Sequence, residues 1–210
     1  MPAEDKWCGR KDGLNLIENM IGEDSGEKRK YVDNRDQLMA TDVSNVDFLL
    51  GLFNWDHMKF ENQRSADCNE GKEDECEPSL TEMTEVAIKM LSKGKNGFFL
   101  MVEGGRIDHA HHEGRANTAL DETASFDSAV EAAFRMTNPE ETLIIVTADH
   151  GHTMSMGGYP KRGADIRGHS NPKPKQPDGK PASSNRDGDG QPISFLTYAN
   201  GPGMKTSSLD

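Results

Sequence analysis

Two short apolar runs on either side of a long amphipathic segment constrain the fold of this 210-residue chain more than any other feature. Residues 98–102 are wholly apolar and run into Glu103-Gly104-Gly105; residues 143–147 are nearly so and run into Ala148-Asp149-His150-Gly151. Continuous apolar runs of this length, bounded by glycines, read as strands buried on both faces. Between them Ala116, Leu120, Thr123, Phe126, Val130, Ala133 and Phe134 recur on one side of a helix, closed by Asn138-Pro139. Strand, helix and strand in that order predict a βαβ unit with two parallel strands side by side. The fold class expected is therefore α/β.

The apolar supply elsewhere is thin. Leu, Ile, Val and Phe make up 36 of the 210 residues, below the share of about 20% at which highly charged chains tend toward disorder. Either much of the chain is loop, or the core is completed by something else. Leu14, Ile17 and Ile21 predict a short helix from Asp12 to Met20, ended near Gly22, and residues 25–29 read as a polar turn. Asn34 with Gln37 predicts a capped helix carrying Leu38 and Met39, and residues 46–53 predict a buried strand. Residues 65–77 carry six carboxylates against Lys72 and read as a solvated loop. Ser79 and Glu82 form a capping box for a helix presenting Leu80, Met83, Ala87, Met90 and Leu91, stopped by Gly94. Residues 157–192, rich in proline, read as a loop or insertion, and residues 193–198 as a last strand.

Charge and cysteine content narrow the function. With 36 acidic and 24 basic residues the net charge is -12, which argues against a nucleic-acid partner, since phosphate backbones require a Lys and Arg surplus. No apolar run approaches the roughly 20 residues of a membrane span, and Met1 to Lys6 lacks the basic-then-apolar start of a secretion signal. Cys68 and Cys76 flank the acidic segment; a small disulfide loop and two reduced thiols are both compatible with that spacing.

Polar groups gather where a ligand would bind. Open α/β sheets bind ligands beyond the carboxyl ends of their parallel strands. Glu103 ends the first predicted strand, and Asp149 and His150 end the second. Asp108 and His112 stand four residues apart, one turn on the same helix face, a carboxylate–imidazole spacing that suits zinc. One histidine or aspartate near a strand end is ordinarily solvated or hydrogen-bonded, and His109, His111 and Glu113 fit that reading because helical geometry turns them from His112. Five ligand-type groups (Glu103, Asp108, His112, Asp149 and His150) converging on one crevice would repel or desolvate badly without a cation between them.

Residues 98–114, FFLMVEGGRIDHAHHEG, resemble the metal-binding stretch of animal alkaline phosphatases, and Val146-Thr147-Ala148-Asp149-His150-Gly151-His152-Thr153 resembles that family's second metal motif. Gly51-Leu52-Phe53, residues 78–84, Gly157-Gly158-Tyr159 and residues 198–203 are similar to further family segments in order, so the resemblance covers nearly the whole chain. It implies a three-layer sandwich with a central, mostly parallel sheet, incomplete here. It also implies hydrolysis of phosphate monoesters at a two-zinc, one-magnesium site through a phosphoserine intermediate. By position, Glu103 corresponds to a magnesium ligand, Asp108 and His112 to ligands of one zinc, and Asp149 and His150 to ligands of the other. His152 corresponds to a residue that orients a ligand or water.

The resemblance also implies what lies elsewhere. The family's nucleophilic serine belongs to an Asp-Ser motif followed by small residues; Asp127-Ser128-Ala129 continues into Val130-Glu131 in the middle of a predicted helix and does not qualify. The serine, a bridging carboxylate, a phosphate-binding arginine and a last zinc histidine are expected outside residues 1–210, read as a partial, carboxyl-terminal piece of the domain and nearly inactive alone. A calcium-like site would carry Asn54 and Glu77 where an acidic residue and an aspartate are usual. Residues 157–192 correspond to a crown region that implies a homodimer, and the family works outside the cell, often on a lipid anchor whose signal is not in these residues. Asn185-x-Asp187-x-Asp189-Gly190 mimics an EF-hand opening, but Leu196 stands in place of the closing glutamate, which favours a polar turn. Other readings are a phosphodiesterase or sulfatase relative on the same scaffold, and a non-catalytic metal-binding or dimerisation module.

Overall fold

A computed structural model describes residues 11–22, 26–69, 76–157, 162–167 and 194–199. The crown-like segment beyond Gly157, the EF-hand mimic and residues 200–203 lie almost entirely outside these described residues.

Local sequence chemistry builds the first half. Helix α1 (Leu16–Gly22) begins later than the predicted start at Asp12, whereas α2 (Arg35–Met39) forms at the predicted Asn34 cap, whose side chain accepts from the Gln37 N–H. Strand β1 (Arg29–Val32) pairs parallel with β2 (Phe48–Gly51), register Arg29↔Phe48 to Val32↔Gly51. β1 falls partly where a polar turn was expected. β2 is shorter than the predicted strand and not buried throughout: Phe48 and Leu52 are half exposed, because among the described residues β2 has a single neighbour. Helix α3 (Glu61–Asn69) replaces part of the expected acidic loop. Its Arg64 fork bonds the Glu61 carboxylate one turn back, and Cys68 is disulfide-bonded to Cys76, closing the alternative left open by spacing.

Helix α4 (Leu80–Leu91) begins at the predicted capping box. The Ser79 hydroxyl accepts from the Glu82 N–H at 3.1 Å, and the Ser79 N–H donates to the Glu82 carboxylate at 2.9 Å. Arg35 of α2 bonds the same carboxylate, with its Nε at 2.9 Å, so one side chain both caps α4 and ties it to α2. Val86 joins Val32 and Leu38 in a core completed by Val43, Leu49, Phe53 and Met83. The buried residues of α4 are Thr84, Val86 and Ile88 rather than the predicted single stripe, because the helix packs on α2 on one side and on α6 on another.

Helix α5 (Arg106–His112) and helix α6 (Ala116–Met136) follow. The buried residues of α6 are Thr118, Ala119, Ala129 and Ala132, and Phe134 is exposed, so the packed face is rotated from the predicted one. Small side chains let α4 and α5 approach the α6 backbone closely, and tight packing prevails over side-chain size. Ser128 lies within α6 and its hydroxyl donates to the Ala124 carbonyl, consistent with a helical residue and not a nucleophile turn.

The predicted βαβ unit requires a correction. Residues 98–102 and 143–147 form no ladder with each other or with any described segment, and Phe99, Met101, Leu143 and Ile145 are 89%, 70%, 84% and 76% exposed. An apolar run becomes a strand only when neighbours satisfy its backbone donors and acceptors, and none of the described residues supplies them here. The second sheet is β3 (Met154–Met156) antiparallel to β4 (Leu196–Tyr198), register Met154↔Tyr198; β4 lies within the predicted last strand. The architecture is thus mixed helix and strand with a short parallel pair.

Burial raises the Glu82 carboxyl, but hydrogen bonds from Arg35 and the Ser79 backbone outweigh it, so its pKa lies below the ordinary 4.5. A carboxylate depressed by folding stabilises above its unfolded pKa and loses that contribution as pH falls through the folded value. Glu82→Gln is expected to cost about 1–2 kcal/mol at pH 7. In urea unfolding, the gap between Glu82→Gln and the parent chain should shrink progressively below pH 4.5.

Candidate metal centre

The site is built on α5, and α5 is held by small residues and a buried ring. Ala110 is fully buried against Ala119 of α6 and Phe60. The guanidinium groups of Arg106 and Arg115 lie over the Phe60 ring at 3.7 and 4.9 Å, clamping both ends of the helix through cation–π contact. At the amino end Gly104 packs so closely that an added Cβ would meet Ile107 and Phe126 at 3.2 Å. At the carboxyl end Gly114 takes φ 69°, the left-handed cap that lets the chain turn into α6, and the Arg115 N–H bonds the Ala110 carbonyl. The face opposite Ala110 is left to the polar side chains.

Asp108 is the hub of that face. Its Oδ1 accepts a hydrogen bond from His152 Nε2 at 2.5 Å and lies 3.6 Å from His150 Nε2. Its Oδ2 lies 3.5 Å from His112 Nε2, one turn along α5. Three imidazoles, two of them brought from more than 40 residues away, thus share two carboxylate oxygens. The His152 hydrogen bond holds the Asp108 carboxyl below the usual carboxylate range, opposed by slight desolvation and assisted by His112, His152 and His150. Asp108, His112 and His152 place donor atoms all within 4.8 Å of one another. One carboxylate oxygen and two imidazole nitrogens are a donor set that suits zinc.

Three of the five ligand-type groups read from the sequence gather, with His112 and His150 lying 3.5 and 3.6 Å from the Asp108 carboxylate. Asp149 is 86% exposed and lies 3.5 Å from the Nε2 of its chain neighbour His150. Glu103 is exposed, with its carboxylate over Gly105, and is not among the closely grouped donors. His152, a residue expected only to orient others, is the least exposed of the three imidazoles around Asp108 and sits closest to it.

Two participants were missed. The His111 ring stacks on His152 with centroids 4.8 Å apart and planes at 24°, although helical spacing turns it from His112. Its Nδ1 is hydrogen-bonded to the Tyr198 hydroxyl at 2.7 Å. Burial lowers the His111 pKa, with the neighbouring His152 acting in the same direction. No signal within residues 106–114 announces these contacts, since both partners come from the β3–β4 side of the molecule. His109 bonds Arg106 at 2.8 Å and packs on His57, matching the structural reading given to it.

The segment that corresponds to the family's calcium-like site is held together by hydrogen bonds. Glu77 is buried, its Oε1 accepting from Asn54 Nδ2 at 2.5 Å and its Oε2 from the Lys59 N–H at 2.7 Å. Both oxygens thus accept from N–H donors of neighbouring residues, which ties Asn54 and Lys59 to Glu77.

Residues 2–209 match the alkaline phosphatase family. The chain is 44% identical to the tissue-nonspecific alkaline phosphatase of Gallus gallus over 97% of its own length and 36% of that protein. It is 40% identical to an alkaline phosphatase of Gadus morhua over 97% of this chain and 39% of that protein. It is 43% identical to a membrane-bound alkaline phosphatase of Bombyx mori over 93% of this chain and 32% of that one. The chain therefore spans about a third of the length of these relatives.

If Asp108 is the hub, Asp108→Asn should weaken zinc binding by at least about 100-fold in calorimetric titration. Glu113→Gln, whose carboxylate instead pairs with Arg115 at 3.3 Å, should bind as the parent does.

Proposed function

This chain belongs to the alkaline phosphatase family, and we propose that it contributes the metal-holding part of a phosphomonoester hydrolase site. The observation that carries this reading is the gathering of His112, His150 and His152 around the two oxygens of Asp108. In the proposed arrangement Asp108 and His112 hold one zinc, Asp149 and His150 hold the other, and Glu103 holds magnesium. When bound, the zinc ions supply Lewis acidity at the attacking and leaving oxygens of an in-line phosphoryl transfer.

The chain's own residues perform the positioning. α5 fixes Asp108 and His112 one turn apart, and His152 donates to Asp108 Oδ1, turning the carboxylate so that Oδ2 faces His112. The clamp of Arg106 and Arg115 on Phe60 keeps α5 from rotating that face away. The nucleophilic serine of the phosphoserine step, and the remaining ligands, come from a segment outside these 210 residues. So do the neighbours of residues 98–102 and 143–147, which we place in the central sheet of a three-layer sandwich; their exposed apolar side chains support that placement. Residues 1–210 accordingly form a carboxyl-terminal part of one domain.

The substrates proposed are small phosphate monoesters. The whole protein is proposed to form a homodimer through the crown-like segment and to work at the cell surface or outside the cell. The Cys68–Cys76 disulfide supports an oxidising compartment. No described helix is long and apolar enough to cross a membrane.

Residues 1–210 should bind zinc yet turn over a chromogenic phosphomonoester at alkaline pH no faster than about 10⁻³ of a full-length family enzyme, since losing a nucleophile removes most of the catalysis. Turnover comparable to the full-length enzyme would overturn the placement of the serine outside the chain. Absence of zinc binding would overturn the metal-holding role.

A further inference from the structure

We infer that Tyr198 and His111 are positioning residues that lock the His152 ring onto Asp108. The inference deepens the metal-holding reading above and rests on it for its functional meaning. Three links form an unbroken path. The Tyr198 hydroxyl is hydrogen-bonded to His111 Nδ1 at 2.7 Å, the His111 ring lies nearly parallel to His152 at 4.8 Å, and His152 Nε2 donates to Asp108 Oδ1 at 2.5 Å.

The backbone makes this path stiff. Tyr198 pairs with Met154 in the β3–β4 ladder, and the Ala199 N–H bonds the Thr153 carbonyl at 3.2 Å, directly after His152. The ladder therefore fastens the segment just after His152 to the strand that carries Tyr198, while His111 belongs to α5 with Asp108. The Tyr198–His111 bond joins the ladder to the helix across the site. His112 stands edge-on to His152 at 4.8 Å and 89°, so the His152 ring is flanked on two sides by imidazoles of α5.

Exposure marks the difference this makes. The His152 side chain is 16% exposed, against 69% for His112 and 53% for His150. A ring held on one rotamer keeps the Asp108 carboxylate turned toward a cation without losing freedom on binding, which is how outer partners raise affinity at metal sites. The Tyr198 hydroxyl fixes which His111 nitrogen faces β4, and the stack then fixes the tilt of His152.

The test uses the full chain and two readouts. In the metal-free chain, long-range 1H–15N spectra of the imidazoles should show His152 in one tautomer with a slowly exchanging Nε2–H. Tyr198→Phe, which removes only the hydroxyl, should average that signal, and His111→Phe, which keeps a ring but loses Nδ1, should do the same. In cobalt(II) titration, each variant should bind about 10–100-fold more weakly than the parent, with an altered visible absorption spectrum, and the double variant should be no weaker than either single one. Urea unfolding of Tyr198→Phe should stay within about 1 kcal/mol of the parent, separating positioning from folding. Unchanged His152 signals in both variants would overturn the inference. A parent chain whose His152 is locked but which binds no cobalt would support the inference and overturn the metal-holding reading.

Discussion

The Asp108 carboxylate is the constraint on which the rest of the structure depends. Placing three imidazole rings and two carboxylates near one another is unfavourable unless charge and hydrogen bonds are matched. Asp108 matches them by giving one oxygen to His152 and His150 and the other to His112. Its depressed pKa has its largest cause in the His152 hydrogen bond, so the negative charge is an integral part of the arrangement. Among the described residues, Asp108, His112 and His152 place their donor atoms close enough together to hold a cation.

The fold delivers that carboxylate from far-separated parts of the chain. α5 is a short helix with little helical stability of its own, held instead by Ala110 on Ala119 and by two guanidinium groups on Phe60. Small residues on α6 set how near α5 can come, and Gly114 sets where it ends. The histidine segment arrives from the other direction, fastened by the β3–β4 pair. Displacement of either support separates Asp108 from His152 without any change in the ligands themselves.

Much of the site was legible in the sequence because its signals are local. The i, i+4 pair Asp108 and His112, the Ser79–Glu82 box and the Asn34 cap are patterns a single helix turn must satisfy, and all three appear as helical spacing requires. Non-local features were not legible. Strand status for residues 98–102 and 143–147 depends on hydrogen-bonding neighbours, and apolar periodicity carries no information about whether those neighbours are at hand. The buried face of α6 was misread because small side chains, not large ones, mark a close helix contact. His111 read as turned away from the site, since its importance comes from Tyr198 and His152 and not from α5.

Family membership and the Asp108 cluster lead to one claim above others, that this chain holds zinc through imidazole and carboxylate donors centred on Asp108. Zinc K-edge X-ray absorption of the zinc-loaded chain tests it most directly. Zinc held this way should show a nitrogen and oxygen first shell at about 2.0–2.1 Å with imidazole multiple scattering, lost or reordered in Asp108→Asn. A sulfur shell near 2.3 Å, or an imidazole signal unchanged by Asp108→Asn, would contradict it.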